Sequence, residues 1–389
     1  MIPEKQIPTT AFVVEKPGAP FVLQDVVLDE VRANEVLVEM KYTGLCHTDI
    51  VVQQGGMPVG DFPAVLGHEG AGIVRRVGND VEDKSLKEGD LVFLSFSSCC
   101  EKTCTPCGED RHGFCDKMTN INFAGARGLH ASDSPISFPD GKGSIRGQFF
   151  GQSSMSKLAV VDQRSVVKSP AASGITVEDM AVLAPLGCGY LTGAGTVFNV
   201  LKPKAGSTFV VFGMGAVGLA ALFAARSQGV KTIIAVDIVD AKLELAKSFG
   251  ASHTLNTKFI PDAAQALLEI SPKGVDCVLD TTGVVPLLEA GVKALGHGGI
   301  LSLVGVPRPG VTMNINPLDL MTGCKRIVGA IEGCCNPKVI LPQLIDLYKQ
   351  GKFPVDKLAK IYTPDTFEQA ISDLHTGNVI KPIIKWSDL

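Results

Sequence analysis

Residues 97–115, SSCCEKTCTPCGEDRHGFC, hold five of the chain's eleven cysteines in nineteen positions. Cys100, Cys104, Cys107 and Cys115 are separated by three, two and seven residues. Short gaps of that kind let neighbouring thiolates converge on one tetrahedral zinc, and four sulfurs close its shell. A zinc held there is structural, with no position left for a substrate. Cys100 gives the more usual gap, and Cys99 is the alternative for the same sulfur. The competing reading is a loop of free or disulfide-bonded cysteines. A reactive zinc instead needs about three protein ligands and an open position. Cys46 in GLCHTDI, His68 in LGHEGAG and Cys188 in APLGCGYLTGAG are candidates, each set among small residues in an apolar context. Singly, each also reads as a small buried hydrophobe or a satisfied core histidine. Spacing alone does not join residues so far apart in the chain.

A third group bears on a nucleotide. GMGAVG places Gly213, Gly215 and Gly218 in the G-x-G-x-x-G pattern, after the apolar run TFVVF and before the helical stretch AVGLAALFAARSQG. There the first glycine permits a tight turn, the second lets backbone approach a pyrophosphate, and the third lets helix and strand pack closely. Asp237 ends the next apolar run and is placed for a ribose 2′-hydroxyl. Its charge would repel a 2′-phosphate, which favours NAD over NADP; Lys242 is the nearest basic residue able to modify that preference. The bland alternative is a glycine turn that binds nothing, with Asp237 capping a strand.

These residues must be positioned by elements that the hydrophobic pattern reveals. The first third is rich in β-formers, with AFVVEK, EVLVEMKYTG, GIVRRVG and DLVFLSF reading as strands, and Met118–Gly147 as a long surface excursion without helical period. From Thr208 strands and helices alternate, which specifies a parallel sheet with helices on its faces. After about Ile331, two helical stretches and a terminal strand (IKPIIKW) return to the first domain. The apolar run Ala205–Ala225 is long enough to span a membrane, but its β-rich half and spaced glycines read better as strand, turn and buried helix. A chain of 389 residues implies two domains. A net charge of −4 marks neither a nucleic-acid nor a membrane-surface binder. The start MIPEKQIPTT has no signal-peptide character, so the expected location is cytoplasmic, where clustered cysteines more often bind metal.

Taken together, GLCHTDI, PAVLGHEGAGIVRRVG, the cysteine lobe, GCGYLTGAG, VFGMGAVGLAAL and TGNVIKPII resemble the zinc-dependent medium-chain alcohol dehydrogenases over nearly the whole chain. FFGQSS and the lobe are most similar to the aryl- or benzyl-alcohol branch. The resemblance implies an α/β protein: a GroES-like β-barrel catalytic domain (1–188, with the zinc lobe at 99–115), a Rossmann doubly wound domain (189–333), and a return to the catalytic domain (334–389). It implies two zinc ions per chain, with Cys46, His68 and Cys188 on the catalytic one, Glu69 behind the metal, and Asp49 orienting His68. Thr48 would accept the hydroxyl proton of an alcohol whose hydride passes to NAD. His47 and Lys381 would lie near the cofactor pyrophosphate, and Phe96 would line the substrate channel. Val51 stands where many members continue the proton relay with histidine. The substrate implied is a primary aromatic or otherwise hydrophobic alcohol and its aldehyde. Alternatives are oxidation of a glutathione–formaldehyde adduct and, from another class, a zinc- and nucleotide-binding sensor without turnover. The resemblance further implies a homodimer or homotetramer paired through the Rossmann sheets.

Overall fold

A computed structural model describes residues 6–57, 61–99, 103–111, 113–125, 127, 133–141 and 143–387. The chain divides into two compact units, one comprising residues up to Cys188 with Asn336–Asp346 and Val355–Leu389, the other Gly189–Cys335 with Leu347–Pro354.

In the first unit the strand Glu35–Gly44 is buried along its whole length. It pairs antiparallel with Gly70–Val77, Leu158–Asp162 and Lys381–Lys385. Burial on both faces explains why its sequence, EVLVEMKYTG, is not a clean apolar–polar alternation. Its buried Glu39 is held by Lys41 and by Arg75 Nε at 2.7 Å. A second sheet runs Ala64–Val65, Ile7–Val14, Val22–Leu28, Ile136–Ser137, Ser144–Ile145.

The stretch 118–147 was expected to be a surface excursion, and the structure corrects this. It contributes the short helix Met118–Phe123 and the last two strands of that second sheet. Ile121, Phe123, Ile136 and Ile145 are buried core residues. Arg127 anchors it: Nε and Nη2 donate to the two Glu35 carboxylate oxygens at 2.8 and 3.0 Å, and Nη1 donates to Asp29 at 2.6 Å. Two-point contact with a carboxylate is the strong form of this pairing.

The second unit is built on a six-stranded parallel sheet in the order His253–Asn256, Thr232–Asp237, Thr208–Phe212, Val275–Asp280, Leu295–Leu303, Arg326–Gly329. The strand Thr208–Phe212 is central and almost wholly buried. The following helix Ala216–Ser227 is buried from Gly218 to Ala225, which accounts for the absence of charge before Arg226 in its exposed last turn. The apolar run that could have spanned a membrane is thus this strand, turn and helix, and no single helix among the described residues is long and apolar enough to cross one.

Two boundaries differ from expectation. The second unit extends to Cys335, and residues 347–354 belong to it although they lie in the returning segment. The cause is Phe353, fully buried with its ring edge-on to Tyr190 (6.3 Å) and Phe223 (5.6 Å). Phe353→Ala should lower unfolding stability by about 3–5 kcal/mol, measured by denaturant melts. A loss below about 1 kcal/mol would show that this segment is no part of the second core.

Candidate functional site

Cys46 leaves the end of strand Glu35–Gly44 and caps the short helix His47–Gln53. Asp49, on that helix, is completely buried. One carboxylate oxygen accepts from the Cys46 backbone N–H at 3.1 Å; the other accepts from the Gly67 N–H at 3.0 Å and meets His68 Nδ1 at 2.9 Å. One side chain therefore fixes the backbone at Cys46 and the ring of His68. Cys188 arrives from the turn after Ala184–Gly187. The ligand atoms of Cys46, His68, Glu69 and Cys188 all lie within 4.8 Å of one another.

The donor set fits a zinc ion. His68 Nε2 is buried and has no hydrogen-bond partner, while Nδ1 is held by Asp49. An imidazole fixed by a carboxylate on one nitrogen presents the other to a metal. Burial works against a charged His68 ring, but the charge and hydrogen bond of Asp49, with Cys46, raise its pKa well above the ordinary value. The Cys46 thiol is held well below its usual range, first by its hydrogen bond with Cys188 and, against desolvation, by His68 and Lys381. Thiolate character is what a metal-ligating cysteine requires.

Burial pushes Glu69 up to about 7, Cys46 adding to the rise and Lys381 and His68 opposing it. Lys381 itself was expected beside a cofactor pyrophosphate, and the structure gives it another place. It is 3% exposed, its ammonium 2.9 Å from both Glu69 oxygens and 3.4 Å from the Leu45 carbonyl. A buried carboxylate demands a partner, and the first residue of the last strand supplies it.

Thr48 is half-buried, its hydroxyl 3.7 Å from Cys46 Sγ, while His47 is exposed with its ring 6.3 Å from that of His375. Phe96, expected to line a substrate channel, is only 1% exposed. Rings that sequence reading passed over stand around His68 instead. Phe150 stacks on the imidazole at 4.6 Å and Phe149 meets it edge-on at 5.6 Å. Phe123 packs against both, at 5.7 Å from Phe149 and 4.9 Å from Phe150. Phe150 reaches this position from left-handed backbone (φ 54°, ψ 31°), an uncommon conformation for a bulky residue. The available signal was the paired aromatic followed by glycine in FFGQSS.

In the lobe, Cys104, Cys107 and Cys115 bring their sulfurs within 4.8 Å of one another. Cys100 lies outside the described residues. Cys99 is described and is not one of the three clustered sulfurs.

The nucleotide-type turn is formed by Gly213 at φ +89°. A Cβ on Gly218 would stand 1.9 Å from the Gly213 carbonyl, whereas one on Gly215 would meet open space. Close packing at one position and room beside the next is what a phosphate cradle needs. Asp237 accepts from the Met214 N–H at 2.7 Å and from the Ile238 and Val239 N–H groups at 2.8 and 3.0 Å. Gly213, Asp237, Ile238, Thr257 and Thr282 line a cleft of about 650 Å³. Lys242, in the helix after Asp237, is half-buried and is not among the residues lining the cleft.

Residues 32–171 match the family model of the alcohol dehydrogenase GroES-like domain, and residues 216–350 that of zinc-binding dehydrogenases. The chain is 34% identical to geraniol dehydrogenase of Castellaniella defragrans, over 97% of this chain and 98% of that one. It is 33% identical to S-(hydroxymethyl)glutathione dehydrogenase of Komagataella pastoris, over 96% of each. The crystal structure of benzyl alcohol dehydrogenase from Acinetobacter calcoaceticus superposes with a TM-score of 0.90 at 40% identity, covering 98% of this chain and 100% of that one. Likeness at this level, sustained along both chains from end to end, establishes that the chain belongs to the zinc-binding alcohol dehydrogenases with a GroES-like domain.

Proposed function

We propose that this alcohol oxidoreductase passes hydride between NAD and a primary aromatic or otherwise hydrophobic alcohol–aldehyde pair, with Cys46, His68 and Cys188 as ligands of a reactive zinc. The observation that carries the reading is the buried, partnerless His68 Nε2 within a cluster that also holds two cysteine sulfurs. When bound, the zinc supplies Lewis acidity and NAD the hydride acceptor.

The chain's own groups do the rest. Asp49 holds a proton at His68 Nδ1 and leaves the Nε2 lone pair for the metal. Glu69, with its charge shared by Lys381, stands behind the three ligands. The Thr48 hydroxyl accepts the proton leaving the alcohol and hands it on. Val51 cannot carry it further, so it departs toward solvent by another path. Phe149 and Phe150, themselves buried, pack on the imidazole, keep water from it and make an apolar wall beside the ligand cluster. That wall favours a hydrophobic alcohol over a glutathione adduct, whose carboxylates call for basic partners. The benzyl alcohol and geraniol dehydrogenases among the relatives support the same choice.

In the second unit, the backbone at Gly213, Gly215 and Gly218 takes the pyrophosphate and Asp237 the ribose hydroxyls. Cys104, Cys107 and Cys115 hold a second, closed zinc, with Cys100 as the fourth sulfur. The proposal includes a cytoplasmic, reducing location, which suits thiolate ligands. It also includes a homodimer or homotetramer joined along the edge strand Arg326–Gly329. Beside that strand the helix Pro317–Thr322 has no buried residue, and its Leu318 and Met321 are exposed.

Metal analysis should find two zinc ions per chain. Cys46→Ser should retain one, melt as the parent does, and lose turnover by at least about 10³-fold; full residual activity would sink the reactive-zinc reading. Cys107→Ser should lower the melting temperature along with metal content, and a variant that loses activity without any change in melting would contradict a structural lobe. Initial rates with a panel of aromatic, terpenoid and short aliphatic alcohols should favour NAD over NADP and hydrophobic substrates over ethanol. Faster turnover of S-(hydroxymethyl)glutathione than of every other compound would reverse the substrate assignment.

A further inference from the structure

Gln152 is completely buried two residues after Phe150, and each end of its amide has a backbone partner. Oε1 accepts from the Gly70 N–H at 3.1 Å; Nε2 donates to the His68 carbonyl at 3.0 Å and to the Ser95 carbonyl at 3.2 Å. Gln152 therefore brackets Glu69 on both sides and fixes the peptide units that carry His68. Ser95 is also fully buried, and its hydroxyl donates to the Gly187 carbonyl at 2.6 Å, one residue before Cys188. That contact is tight. A Cβ on Gly187 would stand 1.8 Å from the Leu94 carbonyl, so the backbones lie against one another there. The bonds run without a break from His68, through Gln152 and Ser95, to the loop of Cys188.

The segment bearing Gln152 is itself held firmly. Phe150 and Ser153 take positive φ angles of 54° and 47°. Ser153 Oγ accepts from the Phe149 N–H at 2.9 Å and donates to the Val65 carbonyl at 2.6 Å, and Ser165 Oγ donates to the Phe150 carbonyl at 2.8 Å. Met155 and Ser154 N–H groups donate to the Leu66 and Gly67 carbonyls at 3.0 and 2.9 Å. Residues in such strained backbone persist where the surroundings over-determine them. Here the surroundings are the residues leading into His68.

We propose that Gln152 is a positioning residue for the metal centre: through Ser95 it locks the His68 and Cys188 loops into one frame and so sets how tightly the centre holds its zinc. It touches no metal ligand atom; it acts on the backbone that aims two of them. This rests on the reading of Cys46, His68 and Cys188 as zinc ligands. Leucine at 152 has similar bulk and makes none of the three bonds. Glutamate keeps an acceptor for Gly70 and turns a carboxylate on two carbonyls.

The test uses the full-length zinc-loaded protein and follows transfer of zinc to a chromophoric chelator. Cys46→Ser, keeping only the lobe ion, identifies which of the two is affected. Gln152→Leu should weaken retention of the reactive-centre zinc by about 10–100-fold, leave the lobe zinc unchanged, and alter the visible absorption bands of the cobalt-substituted protein. Ser95→Ala should produce a smaller loss of the same kind. The double variant should lose less than the product of the two, because both cut one link. Parental zinc retention and an unchanged cobalt spectrum in Gln152→Leu would overturn the proposal. Should that variant fail to fold, parental retention in Ser95→Ala overturns it equally. If Cys46→Ser keeps both zinc ions, the ligand assignment fails and this proposal with it. Loss of one ion there, with parental behaviour in Gln152→Leu, removes this proposal alone.

Discussion

A carboxylate sealed from water is unfavourable by several kcal/mol unless its lone pairs are met by donors, and Asp49 makes that demand at the centre of the first unit. Its oxygens take the N–H groups of Cys46 and Gly67 and the Nδ1 side of His68. Because the donors come from two chain segments, satisfying the charge and assembling the site are the same event. If the helix His47–Gln53 turned away, an unpaired buried charge would remain along with a misplaced ligand. The fold and the cluster stand or fall together on this point.

A second buried charge explains why the chain comes back. Glu69 lies beside the ligands with no exposure, and its cation is at residue 381, on a strand paired antiparallel with Glu35–Gly44. The intervening parallel sheet is a complete α/β layer in its own right. The first unit lacks both a strand and a counter-charge until the C-terminal segment returns.

Legibility in the sequence followed the kind of interaction. Gly213, Gly215 and Gly218 were readable because a local turn imposes their spacing, and Cys104, Cys107 and Cys115 because one small loop must bring their sulfurs together. Cys46, His68 and Cys188 became readable only by resemblance, since no local geometry joins them. Gln152 was invisible for a different reason: its partners are all backbone groups, and any sequence has those. Lys381 read as a cation for phosphate because nothing in a lysine's type tells whether its partner is a ligand or a buried glutamate. Residues 118–147 read as surface because short strands completing another sheet carry almost no periodicity. Residues 347–354 fall in the second unit although the whole span 334–389 read as returning to the first, because an aromatic such as Phe353 does not announce which core it enters.

Phe150 bears on how this catalyst could be re-engineered. The direct way to make room beside His68 is to trim the ring stacked on it to valine or isoleucine. At φ 54°, ψ 31° a β-branched side chain collides with its own backbone, so those replacements would distort the loop before they enlarged anything. Asparagine or glycine would keep the loop's course and remove the ring, while Phe149, which carries no such backbone restriction in its neighbour's sense, is the freer position for graded reshaping. Remodelling this enzyme is thus limited first by handedness of the main chain and only then by volume.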